Sequence, residues 1–162
     1  MCSSDLGATA TIDVTNDLSE PTTVHWHGLV VPTSSDGQPQ DTIAAAGTRT
    51  YTLPIDQRAS LNWYHPHPHM KTGSQVALGL TGLFVVRDSV EAALGLPSGA
   101  YEVPIVLRDY SVDRKNALTY SAKSSGYLGT AALANGTRSA YHLVDKAVYR
   151  LRLLNEIGRA HV

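Results

Sequence analysis

From residue 8 onward, apolar and polar side chains alternate. Ala8, Ala10, Ile12 and Val14 interleave with Thr9, Thr11, Asp13 and Thr15. A period of two puts the first set on one face of an extended chain, which reads as a half-buried strand. Residues 16–21 (Asn-Asp-Leu-Ser-Glu-Pro) are turn chemistry. β-Branched and aromatic residues return over 22–31 and predict a second strand, with a loop from Pro32 to Pro39. Residues 48–53 alternate again and are closed by Pro54. A short strand over 61–64 runs into a histidine–proline tract, and 80–86 reads as a buried strand. The single helix that the pattern predicts, 89–94, stops near Gly95 and Pro97.

A second unit begins after Gly99. Residues 103–107 form a continuous apolar run whose Pro104 places it near a strand start or at a sheet edge. Residues 109–136 are polar and rich in Gly and Ser. Over 147–153, Ala147, Tyr149, Leu151 and Leu153 alternate with Val148, Arg150 and Arg152 and predict one more strand. Short strands at this spacing, separated by Gly/Pro turns, predict an all-β protein: a Greek-key β-sandwich, then an incomplete second domain. The second unit has too few strands to close a sandwich, so an apolar face should be left uncovered.

Composition narrows the function. Thirteen Lys and Arg against fourteen Asp and Glu give a net charge of −1 over 162 residues. No basic field exists to hold nucleic acid, and no uncharged stretch is long enough for a membrane span. Cys2 is the sole cysteine, which excludes a disulfide framework and a CxxC zinc site. No Gly-x-Ser-x-Gly occurs, and Gly73, Gly79 and Gly82 are too loosely spaced to cradle a phosphate. Both ends carry a foreign signature. Residues 1–6 resemble the translation of a common sequencing-adapter oligonucleotide, and residues 156–162 that of its reverse complement. Both are expected to lie outside the native fold. The remaining segment has no cysteine, six histidines, and twelve charges of each sign.

Five of those six histidines fall in two clusters. In His25-Trp26-His27-Gly28, positions i and i+2 of a strand share a face about 6–7 Å apart. The two imidazoles therefore project together while Val24 and Trp26 face the other way. Gly28 allows another group to approach the backbone closely. In His65-Pro66-His67-Pro68-His69 the prolines force extended or polyproline geometry and remove donors, which keeps the tract out of the middle of a sheet. Imidazoles at this spacing hold one metal or reach two metals of a close pair. An all-nitrogen site without thiolates favours copper or zinc over magnesium or calcium. His142 stands alone and reads as an ordinary surface or core residue.

The two clusters carry a specific resemblance. Residues 23–29, with His25-Trp26-His27-Gly28, resemble the first copper motif of the multicopper oxidases, the laccases and their relatives. Residues 63–69, followed by Lys71-Thr72-Gly73 and the Gly-containing run 77–83, resemble the second motif and the bacterial cuprous-oxidase branch in particular. Asn135-Gly136 and 151–155 are similar to that family's second domain. The resemblance implies a cupredoxin-like sandwich over 7–98 and the start of a second cupredoxin domain over 99–155. It implies copper as cofactor: His25 on a type 2 ion, and His27, His65 and His67 on a type 3 pair. It places Asp36 where the family carries a carboxylate that helps deliver protons. On its own chemistry Asp36 is equally a turn residue before Gly37.

By the same resemblance, the parent couples one-electron oxidation of a phenolic or cuprous substrate to four-electron reduction of dioxygen to water. The type 1 copper ligands and the other half of the cluster would come from a C-terminal cupredoxin domain, so this chain alone is expected to be inactive. A periplasmic or secreted location is implied. Two alternatives stand beside this reading: a non-catalytic protein of the same fold, of division or export type, and a stand-alone copper- or zinc-binding module.

Overall fold

The computed structural model describes residues 2–122 and 126–157, which form two compact units: Met1–Val76 with Leu80–Leu94, and Ala77–Gly79 with Gly95–Val162. In the first unit, β1 (Cys2–Asp5), β6 (Gly82–Arg87), β5 (Ser60–His65) and β3 (His25–His27) make a four-stranded sheet in the order β1-β6-β5-β3. β2 (Thr9–Thr15) and β4 (Thr48–Pro54) make a separate antiparallel ribbon. Trp26, Phe84 and Val86 from the sheet pack with Tyr51 and Leu53 from the ribbon, and with Ile43 and Ile55, in one buried cluster. Ala10, Ile12 and Val14 back it from β2, so the predicted alternation over residues 8–15 faces the core as expected.

The predicted strand over 22–31 shrinks to three residues. Thr22 bridges Ile43 instead, and the N–H of Val24 donates to the Tyr51 hydroxyl at 3.1 Å. Gly28 then turns away at a φ of +90°, where a Cβ would lie 2.6 Å from Asn62 Oδ1. Residues 89–94 are helical, as α2 (Ser89–Ala93), with the Asp88 carboxylate accepting from Glu91 N at 2.6 Å as N-cap. A second helix, α1 (Thr72–Ala77), is a departure from the sequence reading. Thr, Gly and Ser open it, and nothing in their propensity calls for a helix. It exists because Gln75 and Val76 are buried.

Residues 1–6 were expected outside the fold, yet Cys2–Asp5 run parallel to β6, Cys2 opposite Phe84 and Asp5 opposite Arg87. Strand pairing is a backbone interaction, and alternate side chains of β1 are half-buried whatever their origin.

In the second unit β7 (Glu102–Val112) pairs in parallel with β10 (Arg150–Asn155) and antiparallel with β8 (Leu118–Thr119) and β9 (Ala131–Ala134). Pro104 sits opposite Arg152 of β10, short of the stretch 107–110 that β9 covers, so its missing N–H leaves the β9 ladder intact. β10 keeps its predicted alternation with the charged side inward. Arg152 is buried against Glu102, while Leu151 and Leu153 are more than half exposed. Of the C-terminal stretch 156–162, residues 158–162 lie outside the described ones.

Glu156 follows β10 and is buried, with neither carboxylate oxygen hydrogen-bonded among the described residues. Desolvation pushes its pKa up to about 7, with Asp109 adding to the rise and Arg108 opposing it. The folded chain thus keeps a proton that the unfolded chain releases above about 4.3. Stability is full below that pH and falls as pH rises toward 7. Thermal melts at pH 5 and pH 8 should show the wild-type chain weaker at pH 8. Glu156→Gln should flatten that difference; equal pH dependence in the two proteins would contradict the burial argument.

Candidate metal centre

The site starts from strand register. β3 and β5 pair antiparallel, with His25 opposite His65, Trp26 opposite Tyr64 and His27 opposite Trp63. Period-two alternation sends Trp26 into the core, at 2% exposure, and leaves His25 and His27 on the opposite face. His65 is the last residue of β5, and Pro66 ends the ladder there. The chain bends, and His67 N donates to Thr23 Oγ1 at 2.7 Å, which brings the second imidazole of the tract back beside the first motif. His69 is exposed and is not one of the three residues whose ligating atoms converge. His142 is exposed in the other unit.

Four rings result, with centroids of His25 at 5.5, 5.2 and 5.3 Å from those of His27, His65 and His67. The ligating atoms of His25, His27 and His65 all lie within 4.8 Å of one another. His27 Nδ1 and His65 Nε2 are 3.2 Å apart. Two nitrogens each about 2.0–2.1 Å from one tetrahedral ion sit roughly 3.3 Å apart, so this spacing suits a shared ion.

The other ring nitrogens are tied down. His25 Nδ1 meets both oxygens of Asp36, at 2.8 and 2.9 Å. His65 Nδ1 meets Pro66 O at 2.9 Å. A carbonyl only accepts, so His65 carries its proton on Nδ1 and leaves Nε2 as a lone pair. The donor chemistry fits copper or zinc: ring nitrogens converge, the far nitrogens of His25 and His65 are braced, and the His27 Nδ1 proton now shared with His65 Nε2 is the one an ion would displace.

Desolvation by the packed rings around them holds the pKa values of His27 and His67 below the ordinary imidazole range, although one side of His27 reaches solvent. Nearby His25 lowers both further, His67 adds to the effect on His27, and Asp36 opposes it. Both rings are therefore neutral at pH 7, as ligation demands.

Asp36 is the sequence candidate whose role stood open. The structure brings it to the site: Trp26 N donates to its Oδ1 at 3.0 Å and Gln38 Nε2 to its Oδ2 at 3.0 Å. Gly37 makes this possible. It lies against β3, with Gly37 N donating to Val24 O at 3.1 Å, and a Cβ there would stand 2.3 Å from that oxygen. Sequence reasoning missed Trp63 as a support. Its ring lies tilted against His65, 4.3 Å between centroids, and against His27 at 5.1 Å. The signal was available, since Trp63 stands two residues before His65 in one strand.

A family model described as multicopper oxidase matches residues 3–91. A Staphylococcus aureus protein named multicopper oxidase mco is 34% identical over 145 residues, 89% of this chain and 32% of that protein. A Salmonella typhimurium protein named cell division protein FtsP is 34% identical over 143 residues, 86% of this chain and 30% of its own length. The crystal structure of a laccase from Pediococcus acidilactici superposes with a TM-score of 0.89 at 38% identity, covering 96% of this chain and 34% of that one. The chain thus spans about a third of the curated relatives it matches. The fold is that of these proteins, an all-β, cupredoxin-like Greek-key sandwich and the start of a second.

Two measurements check the geometry. In an NMR titration of the metal-free chain, His27 and His67 should both titrate below about 6.5; a midpoint at or above it for either would remove the burial argument. Gly37→Ala should destabilise the chain by about 1–3 kcal/mol in chemical denaturation, because backbone on both sides of the clash is pinned. A neutral effect would show that the Asp36 loop is not held as described.

Proposed function

Because this chain belongs to the multicopper oxidase family, we propose that its first unit supplies half the ligands of a trinuclear copper cluster at which the full-length parent reduces dioxygen. The observation that carries this is the 3.2 Å approach of His27 Nδ1 to His65 Nε2, from motifs about 40 residues apart. Residues 7–98 are then the first cupredoxin domain and 99–155 an incomplete second. When bound, copper supplies one-electron redox chemistry between a reducing substrate, phenolic or cuprous, and dioxygen, which takes four electrons to water.

The chain's own residues do the following. His25 offers Nε2 to the type 2 position, because Nδ1 is engaged by Asp36. His65 Nε2, and His27 Nδ1 once it gives up the proton it shares with that nitrogen, would hold one type 3 position, and His67 would offer its ring to the other. Asp36 fixes the His25 ring, and its partly exposed carboxyl group stands where it can relay a proton between solvent and the site. His27 is exposed and His25 half-buried, so the face is accessible in the first unit by itself. A C-terminal cupredoxin domain of the parent would close over that face with the remaining ligands. Oxygen-dependent copper chemistry of this kind fits a periplasmic or secreted protein. Among the described residues no helix is long and apolar enough to cross a membrane.

The similarity to a protein named for cell division supports a second reading, a non-catalytic member of the same fold. Four converging imidazoles, three of them braced at the far nitrogen, favour the copper reading over it, since a shape-only role makes no use of them.

Calorimetry with Cu(II) should show binding that His27→Ala and His65→Ala abolish, and that Asp36→Ala weakens by about 10–100-fold. A chain that binds no Cu(II), or whose binding survives both histidine variants, would favour the second reading. With copper and a phenol or Cu(I), oxygen consumption should not exceed that of free copper. No intense blue band should appear, because that colour needs a cysteine thiolate and Cys2 packs against the core on the side away from the histidines; a band that persists in Cys2→Ser would contradict this ligand set. Turnover above free copper would show that half the ligand set suffices.

A further inference from the structure

Helix α1 begins at the end of the histidine–proline tract, and Thr72 Oγ1 lies 3.2 Å from His67 Nδ1. The Thr72 hydroxyl has an acceptor elsewhere: Oγ1 donates to Pro68 O at 3.2 Å, a carbonyl that also accepts from Lys71 N at 3.1 Å and can only accept. A lone pair of Oγ1 is what remains to face Nδ1. The contact is therefore a hydrogen bond only when Nδ1 carries the proton, which leaves Nε2 of neutral His67 as a lone pair. The same arrangement holds at His65, where Pro66 O receives the Nδ1 proton.

Little in α1 itself accounts for its position. Its six residues are too few for a helix to persist alone. Gln75, 1% exposed, holds it in place. Gln75 Nε2 donates to Glu20 Oε1 at 3.0 Å and to Pro21 O at 2.9 Å, and its Oε1 accepts from Thr22 Oγ1 at 2.8 Å. Lys71 Nζ reaches Glu20 Oε2 at 2.7 Å. All these partners lie in 20–22, the segment that enters β3. Thr23, next in line, takes the amide of His67. Thr72 precedes Gln75 by three residues, so the two share a helix face. Gln75 thus ties the residue that touches His67 to the strand that carries His25 and His27.

We propose that Thr72, anchored through Gln75, is a positioning residue that sets the tautomer of His67 so that Nε2 faces the metal. Its purpose rests on the copper reading, whereas its observable, the proton on Nδ1, exists in the metal-free chain.

Long-range proton–nitrogen NMR of the full chain at pH 8 without metal reads that proton. In the wild type and in Thr72→Ser, His67 should be protonated on Nδ1. Thr72→Val keeps the shape and removes the hydroxyl; it should shift His67 toward Nε2–H, the majority form of a free imidazole. Gln75→Met should shift it part of the way. Cu(II) affinity should fall about tenfold in Thr72→Val and recover in Thr72→Ser. A wild-type His67 protonated on Nε2 overturns the proposal, as does a folded Thr72→Val chain with an unchanged spectrum. If Thr72→Val does not fold, the wild-type and Thr72→Ser spectra decide. The expected tautomer in a chain without Cu(II) affinity removes the copper reading and leaves the role of Thr72 standing.

Discussion

The antiparallel pairing of β3 with β5 sets His25 opposite His65, and the site depends on that register. A slip of one residue would turn every side chain of β3 over, putting the two histidines into the core and Trp26 into solvent. Trp26 prevents it. Its ring packs edge-on against Tyr51 and Phe84, both almost fully buried, so the register is fixed by the hydrophobic face and the site inherits it on the other. The core and the candidate metal centre are two faces of one three-residue strand.

Four imidazoles this close are stable together only if most are neutral. Burial and mutual repulsion lower the pKa of His27 and His67, and the carboxylate of Asp36 offsets part of that repulsion. Each of the bracing contacts, Asp36 on His25, Pro66 on His65 and Thr72 on His67, takes one ring nitrogen out of play. Trp63, laid against His27 and His65, limits how far those two rings can turn. Such bracing moves the cost of ordering the rings from ligand binding to folding, which is what preorganisation means physically.

The second unit shows the opposite condition. Arg152 and Glu102 are paired and buried on one side of β10, while Leu151 and Leu153 on the other side face solvent. An exposed leucine stripe on a strand is a surface suited to further packing.

The sequence alone determined the all-β class, the facing of His25 against Trp26, and the two motifs, because period-two alternation and proline chemistry are local properties of the chain. It also held the resemblance that led to copper. The part of Asp36 stayed open there, because Asp-Gly is equally turn chemistry. Only the fold showed that Gly37 lets the loop lie against Val24 and carry the carboxylate to His25. Helix α1 was invisible for a related reason. Its residues have no helical preference, and it forms because Gln75 finds three polar partners some 53–55 residues away. The alternation over 147–153 left the inward side of β10 undecided, since whether such a strand buries its apolar or its charged face depends on what lies opposite, here Glu102. Periodicity gives the faces of a strand; contacts between distant segments decide which face is covered and which nitrogen of each histidine is left free.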